Sequence, residues 1–249
     1  MKKQNLLFIP FILSMGMGLF SCNFGTGGNT QTFQNSPAVV DFNLEMGGII
    51  LGTPWGYLAA PSLNVSTGDC IYIQQFTIDY DNQPSASYYT ATNIVEETVA
   101  PGQLVVGDAD AIDDYTLALS NPGGMVDEYF NGRVFVWMSC KDNNPMFRMV
   151  YDLSDAQTNS VKNFYIQGKP SSTTENTDNV STMQAFNLLG YIQQFGRDTT
   201  KTFKDFTTPY NFRYVKANMN YVSGVTDGKP TYSMLNSSDK PIEIYVFKN

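Results

Sequence analysis

The segment Arg133-Val134-Phe135-Val136-Trp137-Met138 decides the fold class of this chain. Valine and aromatic side chains favour extended backbone because they pack well on a pleated surface. Lys141-Asp142-Asn143-Asn144-Pro145 then supplies the residues of a turn, and the segment from Phe147 to Leu153 is again rich in apolar residues. Two apolar runs divided by such a turn predict a β-hairpin.

Further strand-like segments lie on both sides of this hairpin, and Gly, Pro and Asn residues separate them. The predicted strands cover Ala38 to Leu44, Gly48 to Leu51, Tyr57 to Ala60, Cys70 to Ile78, Tyr88 to Val99, Tyr115 to Leu119, Asn163 to Gln167, Phe212 to Tyr221 and Ile242 to Phe247. Short strands at short intervals are typical of barrels and sandwiches. Residues 183 to 195 are compatible with a strand at Ala185 to Asn187 followed by a short helix. The sequence therefore predicts an all-β protein with at most one or two short helices.

The N-terminus has the pattern of an export signal. It begins Met1-Lys2-Lys3, is apolar from Leu6 to Phe20, and ends Leu19-Phe20-Ser21-Cys22. The apolar run is too short for a membrane-spanning helix, which needs roughly 20 apolar residues, so residues 1–21 are predicted to be a signal peptide. The ending resembles the lipobox of bacterial lipoproteins. That resemblance implies cleavage before Cys22 and attachment of lipid to its thiol.

Composition divides the remaining chain into three predicted parts. Residues 22–37 are rich in Gly, Asn, Thr and Gln and are predicted to be a flexible tether. The acidic stretch from Gly107 to Asp127, which contains Asn121-Pro122-Gly123-Gly124, indicates a boundary between two β domains. We therefore expect a first domain at 38–115 and a second at 116–249.

This layout resembles the NigD-like lipoproteins of the Bacteroidetes. Two segments carry the resemblance. The first is the predicted hairpin Gly48-Ile49-Ile50-Leu51-Gly52-Thr53-Pro54-Trp55-Gly56-Tyr57-Leu58, and the second is the predicted hairpin of Arg133 to Val136 with Phe147 to Asp152. The resemblance implies a small OB-like barrel followed by a β-sandwich. It also implies an outer-membrane lipoprotein, on the periplasmic face or the cell surface; Asn23-Phe24-Gly25-Thr26, without an acid, favours neither face.

Composition excludes several classes of function. The chain has no histidine, which removes Ser-His-Asp and Cys-His catalysis and the His-containing zinc sites. With Lys2 and Lys3 cleaved off, the chain keeps 13 of its 15 basic residues and all 23 acidic residues, which gives a net charge of −10. Nucleic-acid binding needs a basic surface, so no nucleic-acid partner is expected, and no cofactor is predicted.

Four groups of residues are candidates for further sites. Asp108, Asp110, Asp113 and Asp114 could supply oxygen ligands to Ca²⁺, although they lack EF-hand spacing; otherwise they form a solvated turn. Trp55, Tyr57, Tyr88 and Tyr89 could stack on a ligand such as a sugar, or belong to the core. Cys70 and Cys140 form either a disulfide or two separate buried thiols. Asp198-Thr199-Thr200 resembles a Bacteroidetes O-glycosylation acceptor at Thr199, provided that it lies in an exposed loop.

The functional prediction is a lipid-anchored envelope protein without enzymatic activity that binds a protein or glycan partner. One alternative is a carbohydrate-processing enzyme that uses carboxylates. Glu96 and Glu97 cannot be its pair, since adjacent residues of a strand point to opposite faces. Another is an adhesin or pilus-type subunit, but the polar tether lacks the alternating apolar pattern of a donor strand.

Overall fold

The computed structural model describes residues 29–44, 47–83, 88–111, 113–142, 144–171, 179–202, 209–236 and 240–248. Strands dominate, and the described residues include only two α-helices, α1 (Leu153–Thr158) and α2 (Leu189–Phe195). This confirms the predicted all-β fold. None of the helices in these ranges is long and apolar enough to span a bilayer. The signal peptide and Cys22 lie outside the described residues.

The first five strands close into a small barrel. They are β1 (Thr30–Asn43), β2 (Gly48–Thr53), β3 (Gly56–Ala59), β4 (Cys70–Asp79) and β5 (Tyr89–Thr98). Their order around the barrel is β1-β2-β3-β5-β4, with β1 antiparallel to β4 and β3 parallel to β5. Five strands closed in this way form the predicted OB-like barrel. Its interior is filled by apolar side chains that include Leu51, Ile73 and Phe76.

The first strand begins earlier than composition suggests. β1 starts at Thr30, so eight residues of the expected tether, Thr30 to Pro37, are strand instead. They pair with β4 from Thr30↔Asp79 onward, and Phe33 packs against Phe76 with ring centroids 4.9 Å apart. The segment looks like a linker because its outward side chains are polar. Backbone pairing and one buried aromatic ring are enough to make it a strand.

The remaining ten strands form one hydrogen-bonded sheet that folds over itself into two layers. They are β6 (Ala100–Val106), β7 (Ser120–Met125), β8 (Arg133–Cys140), β9 (Met146–Tyr151), β10 (Val161–Lys169), β11 (Val180–Asn187), β12 (Arg197–Thr202), β13 (Pro209–Thr226), β14 (Lys229–Met234) and β15 (Ile242–Phe247). Their order is β12-β13-β10-β9-β6-β11-β8-β7, and β14 and β15 also pair with β13. Val136 of β8 shares one core with Phe164 of β10 and Val215 of β13. This is the predicted sandwich, but the predicted hairpin of β8 with β9 is wrong. β8 pairs with β7 and β11 in one layer, whereas β9 pairs with β6 and β10 in the other, because the chain passes between the layers after β8.

β6 connects the two layers of the sandwich. Its first residues, Ala100 to Gly102, pair with β11, whereas Gln103 to Val106 pair with β9. At Gly102 a Cβ atom would lie 2.2 Å from the ring of Phe186, so a side chain has no room where the strand crosses. The sandwich therefore starts at Ala100, whereas composition places the boundary near residue 115.

The barrel packs directly onto the sandwich along a contact that we call the seam. Here the 3₁₀ turn Glu128–Phe130 of the sandwich lies on β1 and β2. A Cβ on Gly52 would stand 2.1 Å from the carbonyl oxygen of Tyr129. Val39 and Val99 also join Phe130 in one apolar cluster. The two parts consequently share buried surface along the seam.

The two cysteines of the folded chain are free thiols. Cys70 is half-buried beside the apolar cluster of the seam, whereas Cys140 lies in the sandwich core. Burial raises the pKa of Cys70 to about 11 and also raises that of Cys140. The disulfide alternative is thus not what the structure contains, because the two thiols pack in different clusters as small apolar groups.

Candidate functional site

Three of the four predicted ligand-contact rings pack against other rings. Trp55 meets Phe33 edge-on with centroids 5.7 Å apart, and Tyr89 meets Tyr80 at 5.4 Å. Tyr57 meets Tyr129 at 4.9 Å across the seam. OB-folds bind ligands through strands 2 and 3 and the adjoining loops, and in this chain the seam covers that face. Tyr88 is half-buried just before β5, so the four residues do not form a shared binding surface.

The acidic segment Asp108 to Asp114 is a strap across the outer face of the sandwich. Asp113 pairs with Arg148, and Asp114 pairs with Lys169 at 2.7 Å. The Asp108 carboxylate accepts a hydrogen bond from the backbone of Asp110. No group of three or more metal-ligating side chains occurs among the described residues. Of the four proposed calcium ligands, Asp113 and Asp114 therefore hold the strap to the sandwich through ion pairs.

Buried polar contacts fasten the same strap at Ala109. Its carbonyl oxygen accepts hydrogen bonds from the Gln167 amide at 2.9 Å and from the Tyr232 hydroxyl at 2.5 Å. Burial raises the pKa of Tyr232 to about 12, so this hydroxyl remains a donor at neutral pH. The guanidinium of Arg148 also lies 3.8 Å from the ring centroid of Tyr115. The strap is therefore held to the sandwich at Ala109 and Tyr115 as well as at its ion pairs.

Thr199, the predicted O-glycosylation site, lies within β12 and not in an exposed loop. It is half-buried and stands opposite Phe212 of β13. Thr199 therefore does not lie in the exposed loop on which the predicted O-glycosylation site depends.

The outer side of β13 and β15 carries a cluster that the sequence motifs do not include. Val215 and Val246 point into the sandwich core, so their neighbours along each strand point outward. The outward set, which we call the aromatic face, is Tyr210, Phe212, Tyr214, Tyr245 and Phe247. The register places Phe212 opposite Phe247 and Tyr214 opposite Tyr245.

Exposure differs from ring to ring along the aromatic face. Phe212 is 0% exposed where Tyr129 covers it, whereas Tyr210 is 38% exposed. The rings of Tyr214 and Tyr245 are stacked at 5.6 Å, and those of Phe212 and Phe247 are tilted at 4.8 Å. The face is thus a preformed aromatic surface whose middle ring on β13, Phe212, is buried at the seam.

A carboxylate and an ammonium group meet at this surface. Glu128 is only 8% exposed, and its Oε2 lies 2.6 Å from Nζ of Lys201 on β12. The same Nζ lies 4.2 Å from the ring centroid of Tyr245. Oε1 of Glu128 has no hydrogen-bond partner among the described residues. Glu128, Lys201 and Tyr245 therefore form a polar corner of the aromatic face.

The tyrosines around this corner remain neutral. Burial raises the pKa of Tyr245, and the neighbouring Glu243 raises it further. Burial also raises the pKa of Tyr57, with additional contributions from Asp41 and Asp127. At neutral pH both rings therefore offer apolar faces and hydroxyl groups rather than charge.

A period-two pattern in the sequence marks this face. In Pro209-Tyr210-Asn211-Phe212-Arg213-Tyr214 every second residue is aromatic, as are Tyr245 and Phe247. The pattern shows that the rings of one strand share a side. It does not show that β13 pairs with β15, about 30 residues later in the chain.

Comparisons with known proteins support the fold. No protein-family model and no curated protein sequence matches this chain. A solved structure of an uncharacterized protein from Parabacteroides merdae is 16% identical, with a TM-score of 0.58, over 80% of this chain and 95% of that one. A protein of unknown function from Bacteroides vulgatus is 11% identical, with a TM-score of 0.51, over 83% and 90%.

A NigD-like immunity protein from Bacteroides caccae also matches, at 14% identity and a TM-score of 0.43, over 84% of this chain and 93% of that one. One structural neighbour is thus described by the name of the family that the sequence resembles. At sequence identities of 16% or less, the similarity to these structures shows a shared fold and nothing further.

Proposed function

We propose that this chain is a lipid-anchored protein of the cell envelope that binds a partner protein through its aromatic face, without catalysing a reaction. The observation that carries the proposal is the row of aligned rings on β13 and β15, of which Tyr210 is well exposed. Tyrosine is enriched at the centres of protein interfaces because it buries a large area at little entropic cost.

The anchor in this proposal is Cys22. The chain is held to the barrel from Asn29, whose backbone N–H donates to Asp81 at 2.8 Å and whose carbonyl accepts from Tyr80 at 2.9 Å. A segment of seven residues spans at most about 25 Å, so the barrel stays close to the membrane. We place the protein at the outer membrane, facing the periplasm or the cell surface.

The surroundings of the carboxylates support a role in binding. Asp113, Asp114 and Glu128 each pair with a cation of the same chain. A glycosidase instead needs two carboxyl groups that face each other across a substrate cleft. A glycan partner is the alternative ligand, since tyrosine rings also stack on sugars.

The test compares three versions of the lipidated chain purified from envelope membranes. The wild type and Val95→Ser, which removes an exposed apolar side chain from the barrel, should retain the same co-purifying protein. The double variant Tyr210→Ser, Tyr214→Ser should lose it. Equal recovery by all three would contradict the proposal, as would hydrolysis of envelope polysaccharide by the purified chain. A bound glycan in place of a protein would favour the alternative.

A further inference from the structure

Charge is distributed unequally along the chain. The sequence has no Lys or Arg between Lys3 and Arg133, so the whole barrel lacks cationic side chains. The barrel segment 30–98 carries seven acidic residues, Asp41, Glu45, Asp69, Asp79, Asp81, Glu96 and Glu97. A surface of one sign attracts partners of the opposite sign and raises their association rate. The barrel side of the seam therefore favours a cationic partner.

Glu128 offers a specific carboxylate acceptor to a cationic partner. A buried carboxylate oxygen without a hydrogen-bond donor costs free energy of desolvation. Oε1 of Glu128 is in that condition among the described residues, although Oε2 is satisfied by Lys201. A donor brought by a partner would remove this cost on binding.

The rings beside Glu128 are suited to the same donor. Lys201 already places its ammonium group over the ring of Tyr245, which shows that this ring can accept a cation. An arginine guanidinium forms directed hydrogen bonds with a carboxylate and can also lie flat on an aromatic ring.

We propose that Glu128 and Tyr245 form an acceptor site for an arginine side chain of the partner protein, in competition with Lys201. This inference rests on the proposed function, because it assigns the chemistry of the partner of the aromatic face. The guanidinium takes the position of the Lys201 ammonium group, where it donates to the Glu128 carboxylate and lies on the ring of Tyr245. A neutral glycan would gain nothing from the acidic barrel, so the charge distribution favours a basic protein segment.

The test uses calorimetric titration of the lipidated chain in detergent with the peptide acetyl-(Gly-Arg)₃-amide. A peptide with citrulline in place of arginine has nearly the same shape without the charge. We expect the arginine peptide to bind at least about tenfold more tightly, as a charge-assisted hydrogen bond provides. Equal affinity for the two peptides would overturn the assignment.

Three variants separate a specific site from general attraction. Glu128→Gln should weaken binding about tenfold, whereas Asp81→Asn, which removes the same charge at the Asn29 end of the barrel, should change it less than about twofold. Lys201→Met removes the internal competitor and should strengthen binding, with its thermal midpoint measured alongside. Equal losses in Glu128→Gln and Asp81→Asn, or weaker binding in a folded Lys201→Met, would overturn the proposal.

Failure of this inference can be distinguished from failure of the proposed function. If Glu128→Gln still co-purifies with the partner protein and the double tyrosine variant does not, the aromatic face binds without an arginine. If the double tyrosine variant still co-purifies with the partner protein, the proposed function itself fails.

Discussion

Gly52 is the residue on which the seam depends most directly. Because its missing Cβ would meet a backbone carbonyl at 2.1 Å, Gly52→Ala must displace the 3₁₀ turn or β2. Overpacking of this kind costs about 1 to 3 kcal/mol, and we expect that loss in the free energy of unfolding measured with urea.

Gly190 is the matched control for this substitution. It lies in α2, and a Cβ added there would meet nothing within 4 Å. Alanine favours helix over glycine by up to about 1 kcal/mol, so Gly190→Ala should stabilise the protein. Equal effects of the two substitutions would contradict the close contact at the seam.

Cys70 should make stability depend on pH. Burial raises its pKa from 9.0 to about 11 in the folded chain, so the folded state holds the thiol proton more tightly than the unfolded state. The contribution of Cys70 to the free energy of unfolding is therefore constant below pH 9, and it is lost as the pH rises from 9 toward 11.

The measurement compares the free energy of unfolding of the wild type with that of Cys70→Ala. Between pH 9 and 10 the wild type should lose stability more steeply, since tyrosine titration is common to both proteins and cancels. Parallel curves would show that Cys70 is not shielded from solvent.

Among the elements, the strap from Asp108 to Asp114 depends on Arg148 for its contact with the sandwich. This side chain contacts Asp113, donates to Gln167 at 2.7 Å and covers Tyr115. Arg148→Met should cost about 1 to 3 kcal/mol and speed hydrogen exchange in the strap. Lys169→Met removes only an exposed ion pair, which solvent screens, and should lower the free energy of unfolding much less than Arg148→Met. Stabilisation of the wild type by Ca²⁺ would contradict the structural role of these acids.

Element by element, the sequence predicts local structure better than long-range pairing. β-branched runs such as Cys70 to Ile78 locate central strands correctly, and the short α2 follows β11 as expected. Thr30 to Pro37 escapes detection because β4 supplies its hydrogen bonds from 40 residues away. The aromatic face escapes for the same reason, since β13 and β15 meet only in the folded sheet.

At the scale of the whole molecule, an acidic barrel is joined to a sandwich, and every Lys and Arg after Lys3 lies at position 133 or later in the chain. The aromatic face lies beside their seam, where Tyr57, Phe212 and Tyr245 share one apolar cluster. A partner seated there would contact aromatic rings from the sandwich and the negative field of the barrel together. The net charge derived from composition predicts no nucleic-acid partner, but it does not show this separation of charge.

Site-specific photo-crosslinking in intact cells tests the central claim most directly. A photoreactive amino acid replaces Tyr210 on the aromatic face or, as a control, Val95 on the barrel, both of which are well exposed. We predict one discrete protein adduct from position 210, lost when Glu128→Gln and Tyr214→Ser are added, and no such adduct from position 95. An adduct from position 95 alone, or none from position 210, would contradict the account.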